Sequence, residues 1–135
     1  MAAAILDKIA VENDLDVFIE SAGIMAQEDQ PASANAIEAM REMNIDITGH
    51  RTQQISEDLI VQADVVITMT EGQKMILSQI APEKTYTLLE YAGSSGDIID
   101  PYGGDIEEYR ETAQQIYDAM VDVAEKLPVI KKDDN

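Results

Sequence analysis

The chain of 135 residues contains no cysteine, no tryptophan, one phenylalanine and one histidine. Each scarcity removes a class of chemistry. Without cysteine there is no disulfide, no thiolate metal site and no thiol nucleophile within these residues. With one Phe and five Tyr as the only aromatics, Ile, Val, Leu, Met and Ala have to fill the interior. Basic residues are scarce as well: nine Lys and Arg stand against 27 Asp and Glu, a formal net charge of -18. A chain so acidic repels a phosphate backbone and an anionic bilayer surface, so neither nucleic acid nor membrane is an expected partner. No acidic block is concentrated enough to read as a docking site, and the charge reads as a solvated surface. No apolar run approaches the ~20 residues of a membrane span. The opening MAAAILDKIAVEND lacks the basic n-region of a signal peptide. The expected location is the cytoplasm.

What is present is an ordinary core. Apolar residues make up 45%, and the length suits one domain, read here as residues 1–128 followed by a flexible tail at 129–135. Residues 2–12 read as a helix with Ile5, Leu6 and Ile9 on one face. Residues 17–21 read as a short strand. Ser33 is placed to cap a helix through Asn44, with Ile37 and Met40 facing inward, and Ser56 to cap a shorter one to Ala63. The run 64–69, DVVITM, suits a strand buried on both faces. Thr70 and Gln73 have capping-box spacing and open a helix with Ile76 and Ile80 on its expected core face. Residues 84–90, KTYTLLE, read as another strand. The last helix begins near Asp105 and carries Ile106, Tyr109, Ala113, Ile116, Met120, Val123 and Leu127 at steps of 3 and 4. Strands alternating with helices argue for an α/β fold, a parallel sheet with helices on both faces. In such folds ligands bind at the carboxyl ends of the strands, where Ser21, Thr70 and the loop after residue 90 fall.

Three residues draw attention for chemistry. Asp100 precedes a proline in the Gly-rich stretch DIIDPYGGD. Proline pushes the preceding residue toward extended geometry, and Gly103 and Gly104 permit a tight turn. A carboxyl held this way and partly desolvated near Tyr102 can serve as a general acid, or it can be a loop aspartate bonded to nearby amides. His50 is either a structural hydrogen-bonding residue or a general base; no serine or aspartate stands at a suggestive spacing. Ser21 ends a strand but has nothing local to activate it as a nucleophile. Asp97, Asp100 and Asp105 do not have the spacing of a calcium loop, so no metal and no organic cofactor is expected.

Taken together, ESAGI, QPASANAIEAMREMNIDITGHRTQQIS, ADVVITMT and DPYGGDIEEYRETAQQI resemble the low-molecular-weight protein-tyrosine-phosphatase family, which includes bacterial phosphoarginine phosphatases. The likeness runs in order from Met1 to about Leu127. It implies a three-layer α/β/α fold and hydrolysis of phosphotyrosine or phosphoarginine in a protein substrate through a cysteinyl-phosphate. It implies Asp100 as the general acid, Tyr102 as an aromatic at the pocket mouth, and Ser21 and His50 as supports of the phosphate-binding loop. The pocket wall, bulky in the family, would fall on Ile24-Met25-Ala26-Gln27.

One departure decides the expected chemistry. The family opens with a central strand and a Cys-x5-Arg loop, and this sequence resembles it only from the Met-Ala that follows that loop. The nucleophile, the phosphate-clamping arginine and the loop amides are therefore expected to be absent, and with them the covalent intermediate and the binding of phosphoryl oxygens. Three strands are expected where the family has four. The gap between the strands at 17–21 and 64–69 should then be roughly 10 Å, with unpaired edges open to self-association. Two readings follow: a shortened sequence of a working phosphatase, or a pseudophosphatase that acts by binding another chain.

Overall fold

Helix α1, Ala2–Glu12, buries Ile5, Leu6, Ile9 and Ala10. These positions recur one helical turn apart, so a single face meets the core. In the computed structural model, which describes residues 1–24 and 29–127, that face packs on the last helix. Five further helices and two strands complete the order: α2 Ala34–Glu42, α3 Glu57–Gln62, β1 Val66–Thr68, α4 Glu71–Leu77, β2 Thr85–Thr87, α5 Leu88–Tyr91 and α6 Ile106–Lys126. Caps set most of the boundaries. Ser33 Oγ accepts from the Ala36 N–H at the start of α2, Ser56 from Leu59 in α3, and Asp105 from Glu108 in α6. Each such cap stabilises a helix by about 1 kcal/mol.

The main core lies where α1 and α2 meet α6. Tyr109, Ala113, Ile116, Met120 and Val123 of α6 face Ile5, Ile9 and Met40. Complete burial of each large aliphatic side chain contributes about 1.5–3 kcal/mol. β1 and β2 form a parallel pair in the register Val66↔Thr85, Ile67↔Tyr86 and Thr68↔Thr87, joined by α4 in a β-α-β crossover. The two faces of β1 serve different clusters. Ile67 packs against the main core, whereas Val66 packs with Ile60, Leu77 and Ala81. The architecture is α/β with a small parallel sheet. No described helix is long and apolar enough to cross a membrane.

Several sequence expectations need correction. Among the described residues the sheet has two strands, not three. Residues 17–21 form no strand: a strand is defined by its ladder, and residues 16–20 make no backbone–backbone hydrogen bond among the described residues. The expected strand at 84–90 stops at Thr87. There the Thr87 side chain accepts from the Glu90 N–H and the Glu90 side chain accepts from the Thr87 N–H, a capping box that turns the chain into α5. In α4 the core face is one residue out of phase with the expectation. Leu77 and Ala81 are buried, while Ile76 and Ile80 are 50% and 46% exposed. The expected wall residues 25–27 and the tail 129–135 lie outside the described residues.

Candidate active site

The loop between α5 and α6 carries Asp100, and it is tied down on both sides. Upstream, the Ile98 N–H donates to the Met69 carbonyl at 2.9 Å, just past β1. Asp97 Oδ1 accepts from the Glu71 N–H at 2.8 Å, at the first turn of α4. Ile98 itself is buried and acts as the apolar peg of the loop. Downstream, the Gly104 N–H donates to the Pro101 carbonyl at 2.7 Å, closing a turn in which Gly103 has φ of 81°. A side chain at Gly103 would pay for that left-handed conformation. Gly104 is needed for a different reason: a Cβ there would lie 2.8 Å from the Pro101 oxygen. Asn35 Nδ2 of α2 donates to the Gly104 carbonyl at 3.1 Å, and Ser33 Oγ donates to Tyr109 Oη at 3.2 Å. These bonds fix the N-terminus of α2 to the start of α6.

Between these anchors, Asp100 is exposed, as are Ile99 and Tyr102 on either side of the Asp100–Pro101 pair. Asp100 Oδ1 accepts the Tyr102 N–H at 3.0 Å. The expected desolvation by Tyr102 is therefore not found. Tyr102 is 86% exposed and its ring does not shield the carboxylate from water. The loop holds the carboxylate by backbone geometry, with Oδ1 engaged by an amide.

The start of α1 brings the other candidates together. Burial holds the Met1 amino group below its usual value, and the Asp100 carboxylate acts in the opposite sense. That same positive charge, after burial and ahead of Arg51, holds the His50 imidazole below its usual value. Asp100, the N-terminus of α1 and His50 thus share one electrostatic neighbourhood. His50 and Ser21 also line a cavity of about 350 Å³, whose other walls are Ala3, Ala4 and Asp7 of α1 and the residues Val17, Phe18 and Ile19. Gln53 Nε2 donates to the Ser21 carbonyl at 2.7 Å, and the His50 N–H donates to the Ile47 carbonyl at 3.0 Å. Asp100 and Tyr102 are not part of the cavity wall.

The three aspartates considered for a metal have separate tasks. Asp97 serves the α4 terminus, Asp100 its own turn, and Asp105 the α6 cap. Asn35 escaped the sequence reading. Its bond to Gly104 spans 69 positions, and no local signal announces it.

Comparison with known proteins identifies the family. The family of low molecular weight phosphotyrosine protein phosphatases matches residues 1–133, and the chain belongs to it. A protein-arginine-phosphatase of Bacillus subtilis is 36% identical over 98% of this chain and 89% of that protein. The low molecular weight protein-tyrosine-phosphatase PtpB of Staphylococcus haemolyticus is 34% identical over 83% of this chain and 81% of its own length. Among solved structures, the YwlE arginine phosphatase, as a cysteine-to-serine mutant with a phosphorylated active-site serine, superposes with a TM-score of 0.89 at 35% identity. It covers 98% of this chain and 87% of its own. A low molecular weight protein tyrosine phosphatase from T. tengcongensis gives 0.88 at 35% identity, over 93% and 88%.

Proposed function

We propose that these 135 residues carry the acid side of a phosphatase site and have no cysteine-dependent turnover of their own. The observation that carries this reading is compositional: the chain has no cysteine. The family reaction passes a phosphoryl group to a thiolate and then to water. A thiolate suits this task when its pKa is depressed inside a nest of amides at a helix N-terminus. Any such thiolate would have to come from outside these residues.

Asp100 is the general acid of this reading. Its part is to protonate the leaving group as the phosphorus bond breaks, the phenolic oxygen of phosphotyrosine or the guanidino nitrogen of phosphoarginine. An exposed carboxyl on a loop pinned at Ile98 and Gly104, beside the N-terminus of α1, supports that assignment. Tyr102 stands at the mouth as an exposed ring for the substrate side chain. Ser21 and His50 support the phosphate-binding loop from the cavity wall. The likeness to arginine phosphatases over nearly the whole chain favours a phosphoarginine substrate over phosphotyrosine for a complete site.

The intact mass of the protein isolated from its own cells tests the reading. A mass above 14.8 kDa, with tryptic peptides bearing Cys-x5-Arg, would make the acid side part of a working enzyme. A second reading, a binding module acting through protein association, is favoured by the lack of cysteine together with a backbone at 16–20 that makes no backbone–backbone hydrogen bond among the described residues. Self-association through the open sheet edges is one form of it.

A further inference from the structure

After Asp100 the chain passes through two glycines, and glycine supplies no stiffness of its own. Gly103 stands at φ 81°. Gly104 has no room for a side chain, because a Cβ would lie 2.8 Å from the Pro101 oxygen. The rigidity of this hinge therefore has to come from hydrogen bonds. The Gly104 N–H is used inside the turn and donates to the Pro101 carbonyl at 2.7 Å. The Gly104 carbonyl is used from outside. Asn35, the second residue of α2, donates to it from Nδ2 at 3.1 Å across 69 positions. With both polar groups of Gly104 engaged, the turn is closed and its far end is tied to a helix. Asp100 Oδ1 accepts the Tyr102 N–H within the same turn, so the carboxylate takes its direction from that closure.

Helix α2 does not depend on this bond for its own place. Ser33 Oγ donates to Tyr109 Oη at 3.2 Å, and Arg110 of α6 donates from Nε and Nη2 to the two carboxylate oxygens of Glu42 at 2.8 Å each. Ala36, Ala39 and Met40 are buried beneath. The bond from Asn35 is thus spare for docking α2, and its effect falls on the loop. We propose that Asn35 is a positioning residue, which latches the Gly103–Gly104 hinge to α2 and so holds Asp100 in place. It acts through Gly104 rather than on the carboxylate itself. This rests on the reading of Asp100 as the general acid, and it deepens that reading. A general acid has to stand within hydrogen-bond reach of the leaving atom, and a displacement of about 1 Å is enough to lose much of its effect.

Two variants of the 135-residue chain separate this role from support of the fold. Asn35→Ala removes the donor. Asn35→Asp keeps the shape, removes the donor and places a negative charge in the first turn of α2, where it favours the helix. Amide hydrogen exchange is followed by NMR at Tyr102 and Gly104. The Ile98 amide reports on the upstream anchor, and the Ile116 and Val123 amides of α6 report on the whole fold. Asn35→Asp is expected to speed exchange at Tyr102 and Gly104 by roughly threefold to tenfold, the worth of one hydrogen bond, and to leave Ile98, Ile116 and Val123 unchanged. Asn35→Ala is expected to speed the same two amides. A residue that merely supports α2 predicts the reverse for Asn35→Asp, no acceleration, because a carboxylate suits a helix start. Unchanged exchange at Tyr102 and Gly104 in Asn35→Asp, or an acceleration that Ile116 and Val123 share equally, would overturn the proposal. Failure here removes the latch only. The acid-side reading fails by a separate result, turnover of an aryl phosphate by the same chain.

Discussion

Gly104 is the residue on which the shape of the Asp100 loop turns. A methyl group there meets the Pro101 carbonyl at 2.8 Å, the same oxygen that accepts the Gly104 N–H. Glu108, also in the way, is a flexible side chain and can move; the backbone cannot do so cheaply. Gly104→Ala should therefore cost about 1–3 kcal/mol and show as a lower urea midpoint; an unchanged midpoint would mean that the turn is softer than its geometry. His50 supplies a second prediction. Burial, the Met1 amino group and Arg51 all hold it below the ordinary 6.5, so the unfolded chain takes up the proton first as pH falls. The stability this group contributes is complete above pH 6.5 and is lost as pH drops through the depressed value of the folded state. The stability difference between the native chain and His50→Gln should accordingly change on going below pH 6.5, and a pH-independent difference would contradict the assignment. DPYGG made the turn after Asp100 legible from residue types alone. The tie from Asn35 to Gly104 was not legible, because a bond across 69 positions has no local pattern.

At the scale of elements, helices declared themselves where a stripe and a cap coincided. In α1, α2 and α6 the apolar residues recur at helical spacing, and Ser33 and Asp105 mark two of the starts. The strands were harder, because a short apolar run does not tell where pairing ends. TLLE at 87–90 has the composition of a strand, yet Thr87 and Glu90 have capping-box spacing, and the structure uses them so. That box is testable by itself. Thr87 is fully buried, and Thr87→Val keeps its shape while leaving the Glu90 N–H without its acceptor. A loss of about 1–2 kcal/mol is expected, with faster amide exchange across α5, while Thr87→Ser should recover most of it. Equal stability of the valine variant would show that the cap is incidental. The phase error in α4 has a similar origin. With only seven residues, the helix offers too few turns for periodicity to choose between Ile76 and Leu77.

For the whole molecule, the likeness to solved phosphatases extends over nearly all of the chain, while no cysteine stands among these residues. The scaffold that carries Asp100 is built from contacts independent of that step: the Ile98 peg, the Asp97 bond to α4, and the clasp of α2 onto α6. On the proposed reading, an intact Asp100 loop is no measure of turnover. The measurement that tests this most directly is hydrolysis of an aryl phosphate and of phosphoarginine by the purified 135-residue chain, beside its Asp100→Ala variant. The account predicts that both proteins match the buffer blank with both substrates. Turnover by the native chain that disappears in Asp100→Ala would contradict it, and would mean that a group other than a thiolate receives the phosphoryl.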